Sequence, residues 1–173
     1  MNFQIAMIVL RVIHIVAGAF WVGAAITLAR ILLPALASVG PAAAPVMRDI
    51  VQRRRLPIQM TVAMALTILS GLGMMWHDQA VTGDAWAQTR MGMTFSAGAA
   101  VAVLGAIIGV TVSRPTATRL TVLGEMIAAS AGPPSAELLA DMQKLRTRLA
   151  AGTNWVAALV VLATAFMAVA RYV

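Results

Sequence analysis

The sequence predicts an all-α integral membrane protein, a bundle of four transmembrane helices with a cytoplasmic amphipathic helix between the third and the fourth. Hydrophobic residues make up 61% of the 173 residues and charged residues only 11%, whereas a soluble domain is about half apolar and about a quarter charged. A soluble domain of this size has too little interior to bury so much apolar surface. The lipid bilayer is therefore the expected partner, and we expect residues 1–173 to form a single membrane domain.

The predicted spans are four apolar stretches, each long enough for a bilayer crossing, which takes about 20 residues per helix. They run from about residue 5 to 33, from 56 to 76, from 91 to 113 and from 154 to 172. None of them contains an aspartate or a glutamate, which argues against a carboxylate proton relay or a sodium site in the membrane. The chain also has no cysteine, so disulfides, thiolate metal sites and cysteine nucleophiles are excluded.

The charge of the loops predicts the orientation, because basic residues beside transmembrane helices are retained in the cytoplasm. We therefore expect loops 1 and 3 to be cytoplasmic and both termini to lie outside, in a bacterial inner membrane. Since the basic residues follow the membrane, the net charge of +7 does not indicate nucleic-acid binding. The acids Asp78, Asp84 and Glu125 are interpreted as solvated loop charges. The basic residues of loops 1 and 3 are Arg48, Arg53, Arg54, Arg55, Arg114, Arg119, Lys144, Arg146 and Arg148.

Residues 117–150, in the third loop, carry helical signals on both sides of a break at Gly132-Pro133-Pro134. Ser135, directly after the break, is a residue type that favours the N-cap of a helix. We expect a basic amphipathic helix at the cytoplasmic surface that leads into the fourth span. It acts either as a connector attracted to anionic lipid or as a docking surface for another protein. Its apolar positions after the break are Leu138, Met142, Leu145 and Leu149.

Small residues recur three or four apart along the third span, at Gly98, Ala102, Gly105 and Gly109. Such residues let two helix backbones approach closely, and close packing is what drives helix association in lipid. The Gly105/Gly109 face therefore predicts that the third helix lies inside the bundle or at an interface with another membrane subunit.

The first span carries a row of residues that are suited to binding a cofactor. Arg11, His14, Gly18 and Trp21 are spaced three, four and three residues apart, so they share one helix face. Ionisable groups in a span usually turn to the bundle interior or to water. Imidazole is an axial ligand of haem iron, a guanidinium can pair with a propionate, Gly18 leaves room for a flat ligand, and Trp21 can cover its edge. Alternatively, His14 bonds to another helix and Arg11 reaches the headgroups.

The same span carries a family resemblance. His14, Trp21 and Gly23, in the pattern H-x6-W-x-G, resemble the first helix of CopD-type copper-resistance membrane proteins and of HemJ-type protoporphyrinogen oxidases. Arg30 falls at the distance of a later arginine in the HemJ type. The resemblance implies that His14 binds haem, as the matching histidine of HemJ-type proteins does. That family also uses a lysine in its third helix, whereas the only lysine here is Lys144.

A second candidate site lies at the predicted outer surface, between the second and third spans. Thioether and imidazole donors suit copper(I), and the spacings Met-Met-x-His and Met-x-Met can serve a copper carrier. Methionine also fills irregular gaps in apolar cores, which is the alternative interpretation. A further option is that His77 pairs with His14 on one haem. The candidate metal ligands are Met74, Met75, His77, Met91 and Met93.

The sequence thus leaves three functions open. The first is a non-catalytic membrane protein or subunit that holds haem b or copper(I) in its outer half. The second is a HemJ-like protoporphyrinogen oxidase. The third is a structural accessory subunit of a larger respiratory, photosynthetic or transport complex, without a cofactor, which contacts its partners through the Gly105/Gly109 face or the cytoplasmic helix.

Overall fold

A computed structural model of the chain describes residues 3–83, 85–130 and 132–173. This part of the chain is helical and contains no strand, which confirms the predicted fold class. Asp84, predicted as a solvated loop charge, lies outside the described residues. Four helices are long and apolar enough to cross a membrane, as predicted. They are α1 (Phe3–Val39), α2 (Leu56–Thr82), α3 (Arg90–Ala129) and α4 (Ala136–Tyr172).

Two of the long helices pass through a proline without breaking. Proline lacks the N–H that would bond the carbonyl four residues earlier, yet lipid offers no other partner for a freed backbone group. In α1 the conflict is relieved by a π-turn at Leu28–Leu32, just before Pro34, where the Leu33 N–H donates to the Leu28 carbonyl. In α3 a π-turn at Gly109–Ser113 stands before Pro115 in the same way. Both helices therefore extend beyond their predicted spans.

The segment predicted as a surface helix is helical, but it is divided between two long helices. Residues 114–129 continue α3, and α4 begins at Ala136, where the Ser135 hydroxyl accepts a hydrogen bond from the Leu138 N–H at 3.2 Å. The two halves form an antiparallel pair, here called the inner hairpin (residues 114–150). Their apolar faces pack together around Leu120 and Leu149, because facing each other buries more apolar surface than lying separately on the membrane.

The bundle consists of two closely packed pairs, α1 with α2 and α3 with α4, and α1 also packs against α4. By contrast, α2 and α3 contact each other little. The small-residue face of α3 is used inside the chain. A Cβ on Gly98 would lie 3.0 Å from Phe166 Cβ, and a Cβ on Gly105 would lie 3.4 Å from Leu159 Cβ, so both glycines let α4 approach. Of the two predicted uses of this face, packing within the bundle is the one observed.

Two exposed aromatic residues, Trp155 and Tyr172, lie near the two ends of the apolar part of α4. They are 63% and 88% exposed, and such side chains favour the membrane–water interfaces. Their separation of 17 positions corresponds to about 25 Å at 1.5 Å per residue, which approaches the hydrocarbon thickness of about 30 Å. The inner hairpin lies at the Trp155 end of the bundle. The linker after α1 (residues 40–55) lies at that end too, because Gln52 Nε2 donates to Glu125 Oε1 at 2.7 Å.

We predict that Gly98→Leu lowers the free energy of unfolding in detergent by about 1–3 kcal/mol, because the added side chain overpacks the contact with α4. The measurement is equilibrium unfolding of the purified protein. Gly23→Leu is the matched control, since no atom lies within 4 Å of a Cβ at that position. Equal stability of the two variants would contradict the α3–α4 contact.

Candidate functional site

A cavity of about 700 Å³, here called the large cavity, lies among the four long helices at the end of the bundle opposite the inner hairpin. Side chains from both clusters singled out in the sequence line its wall. The lining includes Arg11, His14, Gly71, Met74, Met75, Asp78, Trp86, Met91, Phe95 and Arg171.

His14 is held on the wall of this cavity by α2. Its Nδ1 lies 2.8 Å from the Thr67 carbonyl oxygen, with Ser70 Oγ at 3.4 Å. Because a carbonyl oxygen only accepts, Nδ1 carries a proton and donates a hydrogen bond to the Thr67 carbonyl. In the neutral imidazole of this tautomer, the lone pair lies on Nε2. A backbone carbonyl that fixes one ring nitrogen in this way is the usual second partner of a metal-ligating histidine.

One glycine, Gly71, lets the His14 side chain lie between α1 and α2. A Cβ on Gly71 would come within 2.9 Å of His14 Cε1, so a side chain at this position would displace the ring. A Cβ on Gly18 would lie 3.5 Å from Thr67 Cγ2. The space beside Gly18, which the sequence predicted for a flat ligand, is thus a helix contact, and Gly71 is the glycine that makes room at the site.

Two arginines, both exposed, add positive charge to the lining of the large cavity. Arg11 of α1 and Arg171 near the end of α4 both line it. Within the described residues, neither forms an ion pair with a carboxylate; the ion pairs found there join Asp49 to Arg53 and Arg54. Asp78, predicted to be a solvated loop charge, lies in the last turns of α2 and lines the same cavity. The two arginines therefore suit an anionic ligand.

The predicted metal ligands are divided by the structure. Met74, Met75 and Met91 line the large cavity together with His14. Met93 is 53% exposed and is not part of the lining. The His77 ring packs against Phe3 with ring centroids 4.2 Å apart, also outside the lining. In the described chain no three His, Asp or Glu side chains group as metal ligands, so a metal here would bind thioether and imidazole donors.

The predicted stripe on α1 also divides. Arg11 and His14 line the large cavity, whereas Trp21 is 4% exposed in the central core and lines a second, smaller cavity nearer the inner hairpin. Arg30 is exposed. Of the predicted stripe, Arg11 and His14 therefore meet the large cavity, and Gly18 and Trp21 do not.

An aromatic pair that the sequence analysis did not single out covers part of the cavity. The Trp86 and Phe95 rings stack with centroids 6.5 Å apart and planes 13° apart, and Trp86 is buried. The turn between them is fixed by Thr89, whose hydroxyl accepts from the Gly92 N–H at 3.0 Å. A Cβ on Gly92 would overlap the Trp86 carbonyl. Threonine followed by glycine three residues later was the available signal, since threonine favours the N-cap.

No protein-family model, curated protein or solved structure matches this chain. The chemistry of the site therefore follows from its own residues.

We predict that Gly71→Ala displaces the His14 ring and breaks its bond to the Thr67 carbonyl, which costs about 1 kcal/mol of unfolding free energy. The same variant should change the ¹⁵N NMR signature of an Nδ1-protonated His14. Gly73→Ala in the same helix is the control, because its Cβ would meet only Leu10 at an ordinary distance of 3.5 Å. An unchanged imidazole spectrum in Gly71→Ala would refute the assigned geometry.

Proposed function

We propose that this protein is a haem-binding membrane protein or subunit, without a catalytic site of its own, which holds haem b in the large cavity. One observation carries the proposal. His14, fixed through Nδ1 by the Thr67 carbonyl, shares a single cavity with Arg11 and Arg171, whose guanidinium groups have no carboxylate partner in the described part of the chain.

The size and lining of the cavity suit a porphyrin. Its volume of about 700 Å³ falls within the range of about 300–1,000 Å³ typical of ligand pockets. Its lining is mostly apolar, with a few polar groups, and the stacked rings of Trp86 and Phe95 offer a flat wall. A porphyrin is likewise flat and apolar, with two carboxylates on one edge.

Three polar residues would hold the haem. His14 would ligate the iron through Nε2, and Arg11 and Arg171 would neutralise the propionates by charge-assisted hydrogen bonds. A cavity methionine, from Met74, Met75 or Met91, would be available as a further iron ligand, since methionine–histidine pairs ligate haem in electron-transfer proteins. When bound, haem would supply one-electron redox chemistry. The apolar lining would restrict the access of water and so help to set the potential.

The distribution of the arginines supports an orientation of the bundle in the membrane. The arginines after α1 and those of the inner hairpin lie at the end of the bundle opposite the large cavity. Basic residues are retained in the cytoplasm, so the haem would lie in the outer half of a bacterial inner membrane. The exposed cations of the inner hairpin, Arg119, Lys144 and Arg148, are the surface through which an accessory subunit would meet a partner complex.

A HemJ-like oxidase activity is not part of the proposal. The cavity has no lysine, because the only lysine of the chain, Lys144, lies in the inner hairpin.

The test is the absorption spectrum, oxidised and reduced, of protein purified in mild detergent from haem-replete cells. We expect a Soret band and the reduced bands of haem b, and their loss in His14→Ala. His77→Ala is the matched control, since His77 is the only other histidine and packs on Phe3 instead of the cavity. A colourless wild-type protein, or equal haem loss in both variants, would overturn the proposal.

A second candidate is a copper(I) carrier, favoured by the three thioethers that share the cavity with His14. In that case the joint replacement of Met74, Met75 and Met91 by leucine should weaken copper(I) binding, since it removes the soft donors and keeps the apolar volume. Met93→Leu is the control, because Met93 does not line the cavity. Competition with a chromogenic copper(I) chelator measures the affinity. Equal affinities of the two variants would exclude the carrier.

A further inference from the structure

A second cavity, here called the apolar cavity, has a volume of about 100 Å³ and lies nearer the inner hairpin than the large cavity does. All four long helices and the linker after α1 contribute to its wall, which is almost entirely hydrocarbon. Its lining includes Trp21, Met47, Met60, Met64, Ala106 and Val110. No residue discussed above for haem or copper forms part of it, apart from Trp21.

Three π-turns border this one cavity. Leu28 and Leu32 come from the π-turn in α1, Gly109 and Val110 from the π-turn in α3, and the linker contributes Ile50 from a third π-turn at Asp49–Arg53. Each π-turn adds a residue to the helical turn and widens it locally. Such turns occur frequently at functional sites. Their convergence here indicates a space that the fold builds, because prolines alone require only two of them.

The apolar cavity lies at the inner boundary of the bilayer. Thr153 and Val156 line it, and they flank the exposed Trp155 that marks this membrane interface. Helices α2 and α3, which contact each other little, form two of its walls. A hydrocarbon chain can therefore enter from the surrounding lipid between these two helices.

Arg114 places a positive charge on the rim. It lines the apolar cavity, is exposed, and forms no ion pair within the described residues. It lies at the start of the inner hairpin, directly after the π-turn of α3. At this depth its guanidinium meets the level of the phospholipid headgroups, where cations attract anionic lipids.

The wall of the apolar cavity offers few free hydrogen-bond donors, which the carbonyls of a quinone would need. The hydroxyls of Thr61 and Thr153 donate to carbonyls of their own helices, at 2.7 and 2.8 Å. Ser113 Oγ, which also lines the cavity, has no partner in the described structure and is buried against α4, where Gly152 leaves it room. A saturated or singly unsaturated acyl chain needs no donor, and the experiment below includes a quinone as the competing ligand.

We propose that the apolar cavity binds part of one acyl chain of an anionic phospholipid of the inner leaflet, whose phosphate is held by Arg114. This site is independent of haem or copper at the other end of the bundle.

Trp21 reports on the apolar cavity, because it lines the wall and is otherwise buried. In a chain whose other tryptophans (Trp76, Trp86 and Trp155) are replaced by phenylalanine, bromine on a lipid acyl chain quenches Trp21 only after that chain has entered. The protein is reconstituted in phosphatidylcholine vesicles that contain brominated phosphatidylglycerol or, in parallel, brominated phosphatidylcholine. We expect half-maximal quenching at an about fivefold lower fraction of the anionic lipid.

Two pairs of variants test the assignment. Gly109→Leu fills the apolar cavity and should abolish the saturable quenching, whereas Gly23→Leu, at a position with open space around it, should leave it unchanged. Arg114→Gln should remove the preference for phosphatidylglycerol, whereas Arg119→Gln, an exposed arginine outside the lining, should keep it.

Native mass spectrometry of the chain with all its tryptophans gives a second measurement. One phosphatidylglycerol should be retained by the wild type and lost in Gly109→Leu. Equal quenching by the two lipids, quenching that persists in Gly109→Leu, or a quinone that quenches Trp21 where phosphatidylglycerol does not, would each overturn the proposal. Native mass spectrometry gives its result whether or not haem is bound, and the quenching is measured on haem-free protein, because bound haem would itself quench Trp21; the two proposals therefore fail separately.

Discussion

The structure depends on one constraint, that a backbone N–H or carbonyl in hydrocarbon has no water to bond and must be paired within the chain. A proline in a span would leave a carbonyl unpaired. Here the helix continues through a π-turn, which shifts the register of its backbone hydrogen bonds, instead of ending. This occurs before Pro34 and before Pro115. The hydroxyls of the spans follow the same constraint, as Thr67 and Thr164 donate to carbonyls four residues earlier. The helices consequently stay continuous into the inner hairpin, and the widened turns leave space between them.

The same constraint singles out the polar side chains of the spans that are not bonded within their own helix. Most polar side chains of the spans are bonded within their own helix, so they offer little to a ligand. His14 instead bonds across to α2 through one ring nitrogen and keeps the other available. Arg11 and Arg171 have no carboxylate partner among the described residues. Ionisable groups are costly within a span, and His14 and Arg11 of α1 both line the large cavity.

The local patterns of the sequence predicted much of this structure. Apolar length predicted the four spans, and the spacing of Arg11 and His14 predicted a shared inward face. The break at Gly132-Pro133-Pro134 and the N-cap at Ser135 were also predicted, since both rest on neighbouring residues. The placement of Met74 and Met91 in one cavity with His14, and the packing of His77 on Phe3, depend on which helices pair and at what rotation. The side chains of several helices decide that pairing together, so no single segment carries its signal.

The two cavities stand one above the other, and the residues between them explain why the middle of the bundle is so rich in alanine. On α3, Ala102 lines the large cavity and Ala106, one turn further, lines the apolar cavity. On α4, Val160, which is 2% exposed, lies between Val156 of the apolar cavity and Met167 of the large cavity. Small side chains let the helices close at this level, and a closed level keeps a chamber with two arginines separate from one made of hydrocarbon. Bulkier residues here would hold the helices apart and join the two spaces, and a polar path would then run deep into the membrane.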